Sequence, residues 1–472
     1  MKTNSILLAC VTYFLASCGS GNGDKSTAAT AAHGYDNSLA KGVVIDSIIC
    51  QNRNSESYAL YLPSYYSSTK KFPCIYFFDS HARGSLPLKL YKALAEEYGF
   101  VLAGSNVSKN GMQWQETNDV ASVLMEDARN RINIDPQRIY TAGFSGGARV
   151  ASTIAILDGG VAGVIGCAAG FPQVEHEFEN KFDYFGMVGN YDFNLTEMEK
   201  LNDALQQAGF AHQLLTFDGK HDWAPVTDFR TGMLWLQVNG MKKSLQPKND
   251  SLIMAFKNDY DMRIAAAKTD DIITEQQLLD GIVKALEGLS DISSYKKQLA
   301  DLIADADFKN AVTAQAKSHQ MELEQQQELA KQFTEHDEKW WAEKIAVLNK
   351  NINNAKTKRE SQMYKRLLNF LGLIGYLNSN HALNSGDLTN APNYLKVFKM
   401  ADPQNPDCSY LSAVYFMKSG NRKQAIYSLN EAASLGFSDV LQLMTDAAFT
   451  DLRDDAGFKD VAAKVRENYS AK

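Results

Sequence analysis

The sequence predicts an α/β protein, a mostly parallel eight-stranded sheet with helices on both faces, followed by an all-α region. Three observations lead there. From about Gly42 to Gly240 short apolar runs alternate with segments of helical period, the pattern of an open, largely parallel sheet covered on both sides. Past Gly240 the texture changes, through a polar stretch containing Pro247, to segments that nearly all read as helix. The 472 residues also exceed what one ordinary core accommodates, so two or three domains are expected.

Taken in order, the apolar runs place strands at 43–49, 58–62, 74–78, 101–105, 138–142, 163–167, 185–188 and 213–217. Only a loop separates the first two, so they are expected to pair antiparallel at one edge. Helical patterns fill the gaps at 86–98, 118–132, 148–157, 196–208 and 229–238. The sheet domain is therefore assigned to 42–240, a linker to 241–250 and a helical region to 251–360. Within that region Leu323, Ala330, Phe333, Trp340, Trp341 and Leu348 recur at helical intervals amid dense charge, which reads as one long amphipathic helix with a core-facing stripe.

Residues 361–472 carry a more specific pattern. Ala413, Gly420, Ala425, Leu429 and Ala432 lie at the offsets where tetratricopeptide repeats place small and large residues, and Ala391, Leu395 and Pro403 match positions one repeat earlier. The stretch 363–436 thus resembles about two such repeats, with a tail from Asp446 like the truncated unit that closes such arrays. Two repeats cannot bury a continuous core alone, so the preceding helices are expected to stack on them, and the array would offer a surface to a protein partner.

The opening residues read as an export signal over 1–18: a basic start at Met1-Lys2, an apolar run at 6–16 too short to span a bilayer, then small residues before a cysteine. Leu15-Ala16-Ser17-Cys18 resembles the lipobox of bacterial lipoproteins. That resemblance implies that Cys18 is acylated, with palmitate among its chains, and becomes the mature N-terminus, anchored to a membrane without a spanning helix. Leu7-Leu8-Ala9-Cys10 fits the same pattern but leaves almost no apolar run before it. Gly19 is not the aspartate associated with inner-membrane retention, so the outer membrane is the expected location. A stretch rich in Gly, Ser, Thr, Ala and Asn, 19–41, is expected to be a flexible tether.

A net charge of -7 and a pI near 5.7, with no clustered Lys and Arg, argue against a nucleic-acid partner. Cys50, Cys74, Cys167 and Cys408 show no metal-site spacing, and no phosphate-cradling loop is visible, so no metal or other cofactor is expected. Cys74 and Cys167 sit in apolar runs and read as small buried hydrophobes, while a Cys50–Cys74 bond is left open.

The chemistry centres on Gly143-Phe144-Ser145-Gly146-Gly147, a G-x-S-x-G turn between a strand-like run and a small-residue helix. A serine hydroxyl is a weak nucleophile unless a histidine takes its proton and a carboxylate orients that histidine. Asp192 follows the predicted strand 185–188, and His221 follows 213–217. In a parallel sheet the loops after the strands share one rim, where Ser145, Asp192 and His221 can converge. Of the other histidines, His212 precedes its strand, His176 lies in a charged loop and His81 follows an early strand; Asp218 and Asp222 are too close to His221 in sequence to orient its ring easily. Trp114 and Trp223 are candidates for shaping the substrate pocket.

Residues 43–240 resemble α/β-hydrolases without a large cap, similar to the secreted esterases that include polyhydroxyalkanoate depolymerases and feruloyl or acetylxylan esterases. The Gly-Phe-Ser-Gly-Gly turn, Gly189-x-x-Asp192 and His221-x-Trp223 carry that likeness. One departure stands out: those esterases carry a His-Gly pair after the third strand, where this chain has Asp79-Ser80-His81-Ala82-Arg83-Gly84. The oxyanion hole would then combine the N–H of Gly146 with that of Ser80 or His81, with Asp79 turned away onto Arg83 or the following helix. The expected function is an exported, lipid-anchored serine hydrolase of carboxylic esters. The alternatives are a hydrolase-like surface scaffold that binds a protein or peptide through its repeats, and a serine peptidase using the same triad.

Overall fold

The computed structural model describes residues 35–172 and 180–471. The export signal, Cys18, most of the tether and His176 lie outside the described residues. Residues 35–41 lie within them and depart from the expected free tether. The Asp36 N–H donates to the Arg131 carbonyl (2.8 Å), the two side chains approach to 3.8 Å, and Leu39 packs on an apolar cluster. Those contacts offset the entropy of ordering the segment.

The eight strands are β1 (Val44–Cys50), β2 (Arg53–Tyr61), β3 (Phe72–Phe78), β4 (Val101–Ser105), β5 (Ile134–Phe144), β6 (Gly163–Cys167), β7 (Asp183–Gly189) and β8 (His212–Phe217). They form one sheet in the order β1-β2-β4-β3-β5-β6-β7-β8. β1 and β2 are antiparallel, β2 pairs antiparallel with β4, and every other pair is parallel. This is the α/β-hydrolase architecture. The helices α1 (Ser85–Tyr98), α2 (Trp114–Arg131), α3 (Gly146–Leu157), α4 (Leu195–Gln207) and α5 (Val226–Lys242) cover the sheet. The period of two along β3 sorts its residues: Ile75 and Phe77 join Leu88, Tyr91 and Phe229 on the α1 and α5 face. Cys74, Tyr76 and Phe78 join Leu124 and Ala151 on the α2 and α3 face. Cys50, Cys74, Cys167 and Cys408 are buried free thiols, and no bond joins Cys50 to Cys74.

The core does not stop at the linker. α6 (Asp250–Asp270), α7 (Ile272–Leu286) and α8 (Ser293–Ala304) add Phe256, Tyr260, Leu279, Ile282 and Tyr295 to the α1 and α5 cluster, so α5 is buried on nearly every side. Arg263 of α6 ties this junction by donating to Asp228 (2.7 Å) and Asp259 (2.9 Å).

The long amphipathic helix expected across 322–348 is instead two, α9 (Ala306–Gln332) and α10 (Glu338–Asn354). The break has a local cause: the Asp337 carboxylate accepts the Trp340 N–H (3.0 Å) and caps a new helix. Folding back brings Phe333 and Trp341 together with Leu367 and Leu371 of α11 (Lys358–Ser385) and Val397 of α12 (Ala391–Ala401), so the α9 and α10 pair does stack on the later helices. Next come α13 (Pro406–Lys418), α14 (Arg422–Ser434), α15 (Val440–Thr445), a 3-10 turn (Ala447–Leu452) and α16 (Ala456–Ala471). Ala413, Ala425, Leu429 and Ala432 are buried in their shared core, and Gly420 turns the chain at φ 79°. From α16, Tyr469 reaches back to α1: its hydroxyl lies 2.5 Å from Ser85 Oγ, and Lys89 Nζ lies 3.6 Å from its ring centre. Among the described residues no helix is long and apolar enough to cross a membrane, and no cluster of His, Cys, Asp and Glu could hold a metal ion.

Candidate active site

β5 ends at Phe144 and α3 begins at Gly146, so the whole change of direction falls on Ser145, at φ 56° and ψ −122°. A non-glycine residue in that region is strained, and the surrounding backbone has to hold it. The Ser145 N–H donates to the Cys167 carbonyl (2.9 Å), and its own carbonyl accepts from Ala148 (2.9 Å). The glycines allow the close packing this needs: a Cβ on Gly143 would run into the Gly147 carbonyl, and a Cβ on Gly147 into the Phe78 carbonyl. The turn thus presents the Ser145 hydroxyl at the carboxyl-end rim of the sheet.

The loops after β7 and β8 meet it there. His221 Nε2 lies 2.9 Å from Ser145 Oγ, and its Nδ1 lies 3.0 Å from both oxygens of Asp192. An ionised carboxylate can only accept, so Nδ1 carries the proton and Nε2 faces the serine as acceptor. Asp192 is fully buried, and its Oδ1 also accepts the Asn194 N–H (2.8 Å). Two rings fix the imidazole plane: Phe193 stacks on it at 4.4 Å and Phe144 leans against it at 4.9 Å. The other candidates are placed elsewhere. His212 sits at the opposite end of β8 with Nδ1 against the Phe210 carbonyl (2.9 Å), and Asp222 accepts the Trp223 N–H (2.7 Å).

Asp79 turns inward, as its neighbours require. It receives Arg83 Nε (2.8 Å) and Nη2 (3.0 Å), the Trp223 indole N–H (2.8 Å) and the His81 N–H (2.9 Å). Burial by itself would raise its carboxyl pKa, but the charge and hydrogen bonds of Arg83, helped by Trp223, hold it below the usual carboxylate value. Desolvation and the same guanidinium push the His81 imidazole down. Of the two backbone donors expected after β3, the His81 N–H is therefore committed to Asp79. The Ser80 N–H carries no such bond among the described residues. Gly146 stands at the first position of α3, where an N–H has no intrahelical acceptor. Trp223 lines a cavity beside His221, but Trp114 does not: it is the first residue of α2, which starts earlier than its apolar pattern indicates, and packs on the α2 and α3 face.

No protein-family profile matches the chain, and no curated protein matches it in sequence. Among solved structures, it is similar to an S-formylglutathione hydrolase from Staphylococcus aureus at 14% identity, covering 38% of this chain and 90% of that one with a TM-score of 0.33. A ferulic acid esterase shares 18% identity, over 40% of this chain and 94% of that one, TM-score 0.34. An esterase from Pyrobaculum calidifontis shares 14%, over 44% and 87%, TM-score 0.34.

Several residues at the site gave no signal in the sequence. Asn110, whose N–H donates to the Ser80 carbonyl (2.9 Å), lays its carboxamide where a Cβ of Gly146 would be, next to the serine turn. The cavity beside His221, of about 550 Å³, is walled by His81, Arg83 and Trp223 on the sheet side and by Asp407, Asp439 and Gln442 on the helical side. Lys220, adjacent to His221, is bound to Asp402 at the end of α12 (2.9 Å). The helices past residue 250 thus form part of the wall around the candidate site.

Proposed function

We propose that this protein is a serine hydrolase of carboxylic esters, and that Ser145, His221 and Asp192 are its triad. The observation that carries the reading is the unbroken line of contacts from Ser145 Oγ to His221 to a buried Asp192. Ser145 Oγ attacks the ester carbonyl carbon while its proton passes to His221 Nε2. The tetrahedral oxyanion is held by the N–H groups of Gly146 and Ser80. Collapse expels the alcohol, which leaves with the proton from His221, and water deprotonated by the same imidazole then releases the acid from the acyl-enzyme. The lipobox-like Cys18 places the protein, in this proposal, on the outer membrane of a bacterium, with tetratricopeptide-like helices available to a protein partner.

A fluorophosphonate probe and a panel of short p-nitrophenyl esters test the activity together. Wild-type protein should label and turn over, and Ser145→Ala should abolish labelling and lower kcat by about 10⁴-fold or more. Folded wild-type protein that stays unlabelled, or equal labelling of Ser145→Ala, would defeat the mechanism. One observation favours a binding-only role: the His81 N–H is spent on Asp79, which leaves the oxyanion hole to other donors. In that case esters would bind the cavity without release of p-nitrophenol.

A further inference from the structure

The loop that carries Asp192 is held from two sides. Its N–H groups face the sheet domain: Asn190 donates to the Phe217 carbonyl (2.8 Å) and Tyr191 to the Gly219 carbonyl (2.9 Å). Its carbonyls face the helices. Arg366 of α11 donates through Nη1 to the Asn190 oxygen (2.9 Å), and Asn369, on the same face of α11, donates to the Tyr191 oxygen (2.6 Å). Lys365 lies 4.4 Å above the Tyr191 ring.

The arginine is itself fixed. Its Nε and Nη2 form a two-point pair with Glu322 of α9 at 2.8 and 2.7 Å, with Arg366 only 4% exposed and Glu322 fully buried. Such a fork leaves one nitrogen aimed in a set direction, here at the Asn190 carbonyl. Phe193 completes the link, since the ring that stacks on His221 packs against the apolar core of α9 to α12.

We infer that Arg366 and Asn369 are positioning residues of the triad, and that the helical region is part of the catalytic apparatus. They act by anchoring the 190–193 backbone so that Asp192 meets His221 Nδ1 and Phe193 meets the ring. This rests on the serine hydrolase reading for its effect on turnover, and on the geometry alone for its effect on the Asp192 to His221 contact. A helix face that supplied only packing would have no reason to direct a buried guanidinium and a carboxamide onto successive carbonyls of the one loop bearing the acid.

Two variants test it. Asn369→Ala removes one donor, and the double variant Glu322→Leu with Arg366→Met removes the other without leaving a lone buried charge, a replacement that proteins often tolerate. With p-nitrophenyl acetate, each folded variant should lose about 10- to 100-fold in kcat with KM nearly unchanged, as expected when reacting groups are misplaced rather than substrate binding weakened. The downfield proton resonance of His221 Nδ1–H, assigned by its loss in His221→Ala, should weaken or vanish in both. Wild-type kcat together with an unaltered resonance in these variants would overturn the inference. If wild-type protein neither hydrolyses nor labels, the hydrolase reading fails. The resonance then decides alone: present in wild type and lost in the variants supports positioning, while absent from wild type or retained in the variants overturns it.

Discussion

In the proposed mechanism a bare carboxylate at Asp79 would oppose the oxyanion that forms on the ester, and its pairing with Arg83, Trp223 and the His81 N–H offsets that repulsion. The pairing has a pH signature. Because the folded pKa lies below the ordinary value of 3.8, ionised Asp79 adds stability at and above about pH 5, and that contribution is lost as pH falls through 3.8 toward the folded value. Asp79→Asn should therefore cost about 2–4 kcal/mol in urea unfolding at neutral pH, near the lower end because Arg83 is partly exposed. The gap between the two proteins should narrow on going from about pH 5 to about pH 3. The meeting of Ser145, Asp192 and His221 at one point was legible in the sequence because each lies in the turn or loop after a recognisable strand, and a parallel sheet collects such positions on one rim. Arg366 and Asn369 were not, since they reach their carbonyls from 176 and 178 residues away and their own helix gives no local reason for them.

Between elements, α3 approaches β3 and β5 closely at Gly143 and Gly147, where backbone meets backbone and no rotamer change can relieve an added atom. Gly147→Ala should destabilise the protein by about 1–3 kcal/mol in chemical denaturation, the range of forced overpacking, and should slow fluorophosphonate labelling by shifting the Ser145 turn. The parallel strands from β3 onward were readable as apolar runs because a parallel sheet is buried on both faces, and all eight strands appear near their expected positions. The division between α9 and α10 was not, because the apolar period runs on through it and only a cap at Asp337 marks the restart. Asp337→Ala should cost about 1 kcal/mol in thermal unfolding, the usual value of a lost N-cap.

Across the whole molecule, the compositional shift near Gly240 suggested separable parts, whereas α6 and α7 complete the core that α1 and α5 begin. A change from mixed to helical pattern records a change of secondary structure and not the limit of a core, which only tertiary packing decides. A chain ending after Lys248 should leave uncovered the α5 face around Asp228 and Thr231 that packs on α6, and should be recovered mostly as aggregate or be cut rapidly by protease, while the 472-residue chain stays soluble and resistant. Tyr469 adds a condition of timing. Its seat on Ser85 and Lys89 can fill only after the ribosome has released a stretch of polypeptide that takes on the order of tens of seconds to make, at about 5–20 residues per second. For that interval the nascent chain is unfinished at its first helix, and a chaperone has time to engage it before the last helix closes over the gap.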